Sequence, residues 1–145
     1  MFEKILLAVD SSDYSRRAVD VALGLAGRFG GEVLVFHVRE WTVSAAGAFP
    51  TDGMAAVDLE REQEADALVR GVVRTLEDGG VKATAEVRSA SRGQVAGQIL
   101  EEAKDVGAGL IVMGTRGLSD LSGLLLGSVA HKVLHLAECP VLITR

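Results

Sequence analysis

Five short aliphatic runs alternate along this chain with four stretches whose apolar residues recur at helical spacing. That alternation leaves few architectures open. Residues 3–9, Glu32–Val38 and Leu110–Met113 are rich in Ile, Leu and Val with little polar alternation, as strands buried on both faces are. Lys82–Arg88 instead alternates, with Ala83, Ala85 and Val87 on one side and Thr84 and Glu86 on the other. It reads as a partly exposed edge strand, and Pro140–Thr144 reads as a fifth strand. Between the runs, Ala18, Val21, Ala22, Leu25 and Phe29 share one helical stripe, with Ser11 or Ser12 as the cap and Gly30-Gly31 as the stop. Leu68, Val72 and Leu76 mark a helix from about Val57 to Glu77, ended by Gly79-Gly80. Val95, Ile99, Ala103 and Val106 mark a third, and Ser128–Ala137 a fourth. Strands interleaved with helices predict a parallel sheet covered on both faces, a three-layer α/β/α sandwich. With no repeat and no linker, residues 1–145 are expected to form a single domain.

Composition narrows the class further. A domain of 145 residues buries roughly 68–70% of the surface its unfolded chain exposes, so it needs no disulfide or metal staple. Aromatics are only 4%, which leaves the core to Val, Leu, Ile and Ala. The net charge of −5 and the lack of a basic run argue against nucleic-acid binding. Arg16-Arg17, the one adjacent basic pair, suits a solvated helix face. Cys139 cannot form an intrachain disulfide and has no CxxC context, so it reads as a small strand-edge residue. No run is long enough for a signal-peptide core or a membrane span, and the protein is expected in the cytoplasm without membrane contact.

The segment with most chemical content is Gly114-Thr-Arg-Gly-Leu-Ser-Asp-Leu-Ser-Gly-Leu-Leu-Leu-Gly-Ser128. A strand opens there into a glycine-bearing loop, and a helix begins at its far end. Glycine lets backbone N–H groups approach an anion without a Cβ in the way. The first helical turn adds unpaired donors and the positive end of a dipole. An anionic ligand, a nucleotide above all, follows as the leading expectation. Ser128 has two jobs open to it, capping the helix or donating to a phosphate. Arg116 either pairs with a phosphate or stays solvated. In sheets of this kind ligands bind outside the carboxyl ends of the strands, where the strand order reverses. If the order is 3-2-1-4-5, Asp10 and Gly114 face one crevice with Val38 beside it. Asp10 then either accepts a hydrogen bond from the ligand or only shapes the turn into the helix. Arg39–Ala56 has no periodicity and reads as a long loop at that edge, either a lid or a disordered insertion.

Other chemistries find little support. His131 and His135 have metal-ligand spacing, but Lys132 stands where the zinc motif needs glutamate, and no third ligand is evident. They read as surface histidines, and His37 as a hydrogen-bonded packing residue. No GxxxxGK[ST] is present. The third strand ends in Val87-Arg88-Ser89 without the acceptor aspartate of a receiver domain, and the loop after the first strand lacks the glycine of a flavodoxin phosphate loop.

These residues resemble the universal stress protein family across essentially the whole chain. Lys4–Asp10 resembles its first strand, Val33–Val38 its second, and Cys139–Ile143 its closing strand. Gly114-x2-Gly117-x9-Gly127-Ser128 matches the nucleotide-binding signature of its ATP-binding subgroup. Ser11 departs from the proline that many such members carry. The resemblance implies the adenine nucleotide alpha hydrolase-like fold with strand order 3-2-1-4-5. It implies that Asp10 and the backbone of Val38 contact adenosine and that Gly114 approaches the ribose or the phosphates. Gly117, Gly127, Ser128 and Val129 then line the phosphate site, and Met113 and Arg116 are expected among the nucleotide-binding residues. It further implies ATP, ADP or AMP as ligand, Mg2+ or Mn2+ on the phosphates, and a homodimer paired through Val141–Thr144. Hydrolysis also needs a positioned water and a group to orient it, and no residue stands out for that role. The expected protein is a nucleotide-dependent stress-response sensor with at most a weak ATPase activity and no assigned catalytic residue. The rival reading is a nucleotide-independent dimeric interaction module of the same fold.

Overall fold

A computed structural model describes residues 2–41, 52–91, 93–115 and 126–145, with residues 52–60 described by backbone alone. Five strands and four helices alternate: β1 (Lys4–Ala8), α1 (Asp13–Phe29), β2 (Glu32–Trp41), α2 (Asp52–Asp78), β3 (Ala83–Ser91), α3 (Val95–Asp105), β4 (Leu110–Gly114), α4 (Ser128–Leu136) and β5 (Val141–Thr144). The strands form one sheet of order β3-β2-β1-β4-β5, parallel throughout. This is the order expected from the sequence.

Strand alternation divides the core in two. Ile5, Leu7, Val33, Val35 and Val112 pack with α1 and α2 on one face. Leu6, Phe36, Ile111 and Met113 pack with α3 and α4 on the other. Each fully buried Leu or Ile contributes about 1.5–3 kcal/mol, and both sides of β1 and β4 are filled this way. The helices meet the sheet through small residues, Ala18, Ala22 and Ala26 on α1 and Ala96 and Ala103 on α3. On the β3 flank, α3 is held by Arg88, which bonds Glu86 at 2.9 Å and the buried Glu102, and lies 5.7 Å from the Phe36 ring centroid. Burial pushes the Glu102 carboxyl above its usual range, the Glu86 charge adds to the push, and Arg88 opposes it.

The helix stops fall where the glycines predict. Gly30 has φ 69°, and the next amide, Gly31, reaches back to the Ala26 carbonyl at 3.0 Å. Gly80 ends α2 in the same way, with Val81 bonded to the Leu76 carbonyl at 2.9 Å. Gly31 has a second constraint, because a Cβ there would sit 1.9 Å from the Phe2 carbonyl oxygen.

Several boundaries differ from expectation, and the cause is pairing that hydropathy does not register. β2 runs on to Trp41 and β3 to Ser91 because they pair with each other at Arg39↔Ser89, Glu40↔Ala90 and Trp41↔Ser91. Those rungs carry polar side chains and extend past the end of β1. Helix α2 already begins at Asp52, so the loop expected at Arg39–Ala56 is shorter at both ends. Its remaining residues, 42–51, and the choice between lid and insertion lie outside the described residues. On β3 only part of the expected alternation is realised. Ala83 is buried but Ala85 is exposed, as befits a strand at the sheet edge.

Replacing Gly31 with alanine is expected to destabilise the fold by about 1–3 kcal/mol, since backbone must shift to admit the methyl. Gly24, on the exposed side of α1 with nothing within 4 Å of a built Cβ, should respond oppositely, gaining roughly 0.5–1 kcal/mol. Urea denaturation midpoints of Gly31→Ala and Gly24→Ala check both signs.

Candidate functional site

The register sets the geometry of the crevice. Ala8 pairs with Phe36 on one side and Met113 on the other. Two residues further on, Asp10 and Val38 come level, and Gly114 lies level with Val9. The chain leaves β1 into α1 on one face and leaves β4 toward α4 on the other. The strand order thus reverses between β1 and β4, which opens a crevice at their carboxyl ends.

On the β1 side, Asp10 does shape the turn. Its Oδ1 accepts from the Ser12 amide at 2.9 Å and from the Ser12 hydroxyl. Ser12 is the N-cap of α1 and accepts from the Ser15 amide at 3.3 Å. Ser15, 4% exposed, accepts from the Asp10 amide at 3.0 Å. One carboxylate oxygen is therefore engaged in capping chemistry, and no described bond involves Oδ2. Ser15 was not singled out in the sequence, although its placement three residues after the cap is the spacing of a reciprocal cap. His37 bonds the Val9 carbonyl through Nδ1 at 2.7 Å, the hydrogen-bonded role its position suggested.

The β4 side gives the glycines individual reasons. A Cβ on Gly114 would lie 2.7 Å from the Cβ of Tyr14, so glycine here lets the first turn of α1 close onto the strand end. Met113 is 6% exposed, with its side chain packed among the residues under α3 and α4. Only its backbone is placed at the edge. Thr115 donates its amide to the Thr144 carbonyl at 2.8 Å and accepts from the Gly127 amide at 2.8 Å. The Gly127 amide is therefore engaged internally, contrary to the expectation that it is bared. Thr144 Oγ1 adds a bond to the Tyr14 carbonyl at 3.1 Å, tying β5 to α1. Tyr14 carries no signal in the sequence, and Thr144 reads there only as the end of the fifth strand.

Helix α4 starts one residue earlier in its capping frame than Ser128 suggested. Gly127 is the N-cap, with φ −58° and ψ 153°, and no side chain caps the helix among the described residues. Ser128 is the first helical residue, so its hydroxyl does not serve as the cap. The first helical bond runs from the His131 amide to the Gly127 carbonyl at 2.8 Å. The amides of Ser128, Val129 and Ala130 have no acceptor among the described residues. That first turn is the bare donor set of the site. Arg116 and Gly117 lie outside the described residues.

The remaining candidates fall away from the crevice. His131 and His135 are exposed and stacked, with ring centroids 5.1 Å apart. Among the described residues no group of three His, Cys, Asp or Glu could hold a metal ion. Burial pushes the Cys139 thiol up, which disfavours the thiolate a nucleophile needs. No helix among the described residues is long and apolar enough to cross a membrane.

Comparison with known proteins bears on what this edge belongs to. The universal stress protein family matches residues 1–145. The chain belongs to that family. The universal stress protein YxiE of Bacillus subtilis is 36% identical over 151 residues and is covered in full, as is this chain. Universal stress protein UspA from Lactobacillus plantarum superposes with a TM-score of 0.80 at 23% identity, over 99% of this chain and 98% of its own. A universal stress protein solved in complex with cAMP superposes at 0.69 with 26% identity, over 99% of this chain and 97% of its own.

The serine pair behind Asp10 gives a direct check. Ser15→Ala leaves the Asp10 amide without its acceptor and should cost about 1–3 kcal/mol. Ser11→Ala, at an exposed position with no described bond, should stay within about 0.5 kcal/mol of the parent. Chemical denaturation of the two variants separates them.

Proposed function

We propose that this member of the universal stress protein family binds ATP, or its products ADP and AMP, at the carboxyl edge of β1 and β4. In this reading it acts as a nucleotide-dependent sensor rather than an efficient enzyme. The observation that carries the proposal is the first turn of α4, where a glycine N-cap brings no capping side chain and the Ser128 and Val129 amides have no acceptor among the described residues. Such a turn favours an anion through both its donors and its dipole. The cAMP complex of a related protein supports an adenine ligand in this fold.

Asp10 Oδ2 and the main chain of Val38, Met113 and Gly114 form the adenosine side. Ser128 and Val129 form the phosphate side, completed by Arg116, Gly117 and the Gly127 cap. The described residues gather no three-ligand cluster, so Mg2+ or Mn2+ fits as an ion held by phosphate oxygens and water, its usual habit beside nucleotides. Strand β5 ends the sheet with an open edge, and Val141, Leu142 and Ile143 are only half-buried. It is the surface through which two copies pair in this reading. No described residue is poised to activate water, so turnover should stay below roughly 1 per second, the low end of enzyme rates.

Trp41, 47% exposed at the end of β2, reports binding through its fluorescence during an ATP titration. Ser128→Asp is the decisive variant. A carboxylate in the first turn suits the helix dipole and should hold or raise stability by about 0.3–1 kcal/mol, yet it repels phosphate. ATP affinity is expected to fall at least about tenfold. A parent protein that dimerises but binds no ATP overturns the proposal in favour of a nucleotide-independent dimeric module.

A further inference from the structure

In a parallel ladder each residue facing its neighbour donates to one carbonyl and accepts from the amide two residues on. Along β2 the facing alternates. Val33 donates to the Lys82 carbonyl at 2.9 Å, toward β3, while Phe36 accepts from the Val9 amide at 2.9 Å, toward β1. Val38, two residues past Phe36, therefore turns both its N–H and its C=O toward β1. The acceptor due to its N–H is the Val9 carbonyl. That rung is not made, and the β1–β2 ladder ends at Ala8↔Phe36.

The Val9 carbonyl is held instead by His37, whose Nδ1 lies 2.7 Å away. A ring nitrogen at that distance from a carbonyl oxygen must carry the proton, so Nδ1–H donates. Ser11, which would donate to the Val38 carbonyl in a continued ladder, is already in the turn held by Asp10 and Ser12. Among the described residues, neither the Val38 N–H nor its C=O has a partner on the β1 side. An unpaired, half-buried main-chain pair is unfavourable, so something must keep the rung from closing. His37 is the only described side chain that occupies its acceptor.

We propose that His37 is a positioning residue that ends the β1–β2 ladder one rung early. It thereby presents one donor and one acceptor of Val38, side by side, to the edge of a base bearing an amino group next to a ring nitrogen. The inference rests on the adenine-nucleotide reading for the identity of the base, but not for the open rung. His37 touches no ligand in this scheme and acts through Val38.

Amide hydrogen exchange at Val38, followed by NMR, tests it. In the parent without nucleotide, Val38 should exchange as an open amide and slow at least about tenfold with saturating ATP. His37→Phe removes the donor and returns the Val9 carbonyl to Val38. The Val38 amide should then be protected without nucleotide, and ATP affinity should fall about 2- to 10-fold, the span of one hydrogen bond. His37→Asn, whose amide nitrogen can stand in for Nδ1, should restore both. A purely structural role would lower stability without protecting Val38. The proposal is overturned if Val38 is protected in the nucleotide-free parent, a measurement that needs no variant, or if His37→Phe leaves its exchange unchanged. Failure of the parent to bind ATP would instead sink the nucleotide reading and the role in base binding, while the exchange data still decide whether His37 opens the rung.

Discussion

Burial of β1 and β4 on both faces is the constraint from which the rest of the structure follows. Ile5, Leu6, Leu7, Ile111 and Val112 are each 0% exposed, so the strand interiors have no room for polar side chains. Every backbone group there is committed to the ladder. Polar chemistry can appear only where ladders end and helices begin. In this fold that means the carboxyl edge, where β1 gives way to the Asp10–Ser15 turn and β4 to the stretch before α4. The same burial demands helices that lie close to the sheet, which is why alanine dominates their inner faces.

At that edge, hydrogen bonding separates structural groups from available ones. The Asp10 amide goes to Ser15, the Thr115 amide to Thr144, and the Gly127 amide to Thr115. Among the described residues, groups remain without a partner for a local reason: a cap residue without a side chain at α4, and a carbonyl already taken at the end of β1. The glycines likewise divide by cause. Gly114 is small because Tyr14 needs the space, whereas Gly127 matters because it brings no capping oxygen.

Much of this was legible in the sequence because it is written in periodicity and in chain stops. The five strand runs and the Gly30-Gly31 and Gly79-Gly80 stops correspond to elements or boundaries that exist, and of the two cap candidates, Ser11 and Ser12, it is Ser12 that takes the position. The resemblance supplied the strand order, which patterning alone leaves conditional. Illegible were features that depend on partners distant in sequence. The polar rungs from Arg39 to Trp41 exist only because Ser89 to Ser91 lie alongside. The crowding at Gly114 comes from Tyr14, 100 residues earlier in the numbering. Ser128 looked like a cap because Ser is a common cap residue, but the extended backbone falls on Gly127, which therefore takes that position.

At the opposite end of the sheet, one groove is lined by both Glu32 and Glu102, and the two carboxylates answer acid in opposite ways. Lys82 and Lys4 hold the Glu32 carboxyl below its usual range. Its ion pairing favours the fold above that range and fades as protons neutralise it. Glu102 is costly to ionise because it is buried, so its penalty grows as pH climbs through its raised value and vanishes on acidification. As the medium sours, the Glu102 wall of the groove is therefore relieved first, and the Glu32 wall gives way only at lower pH.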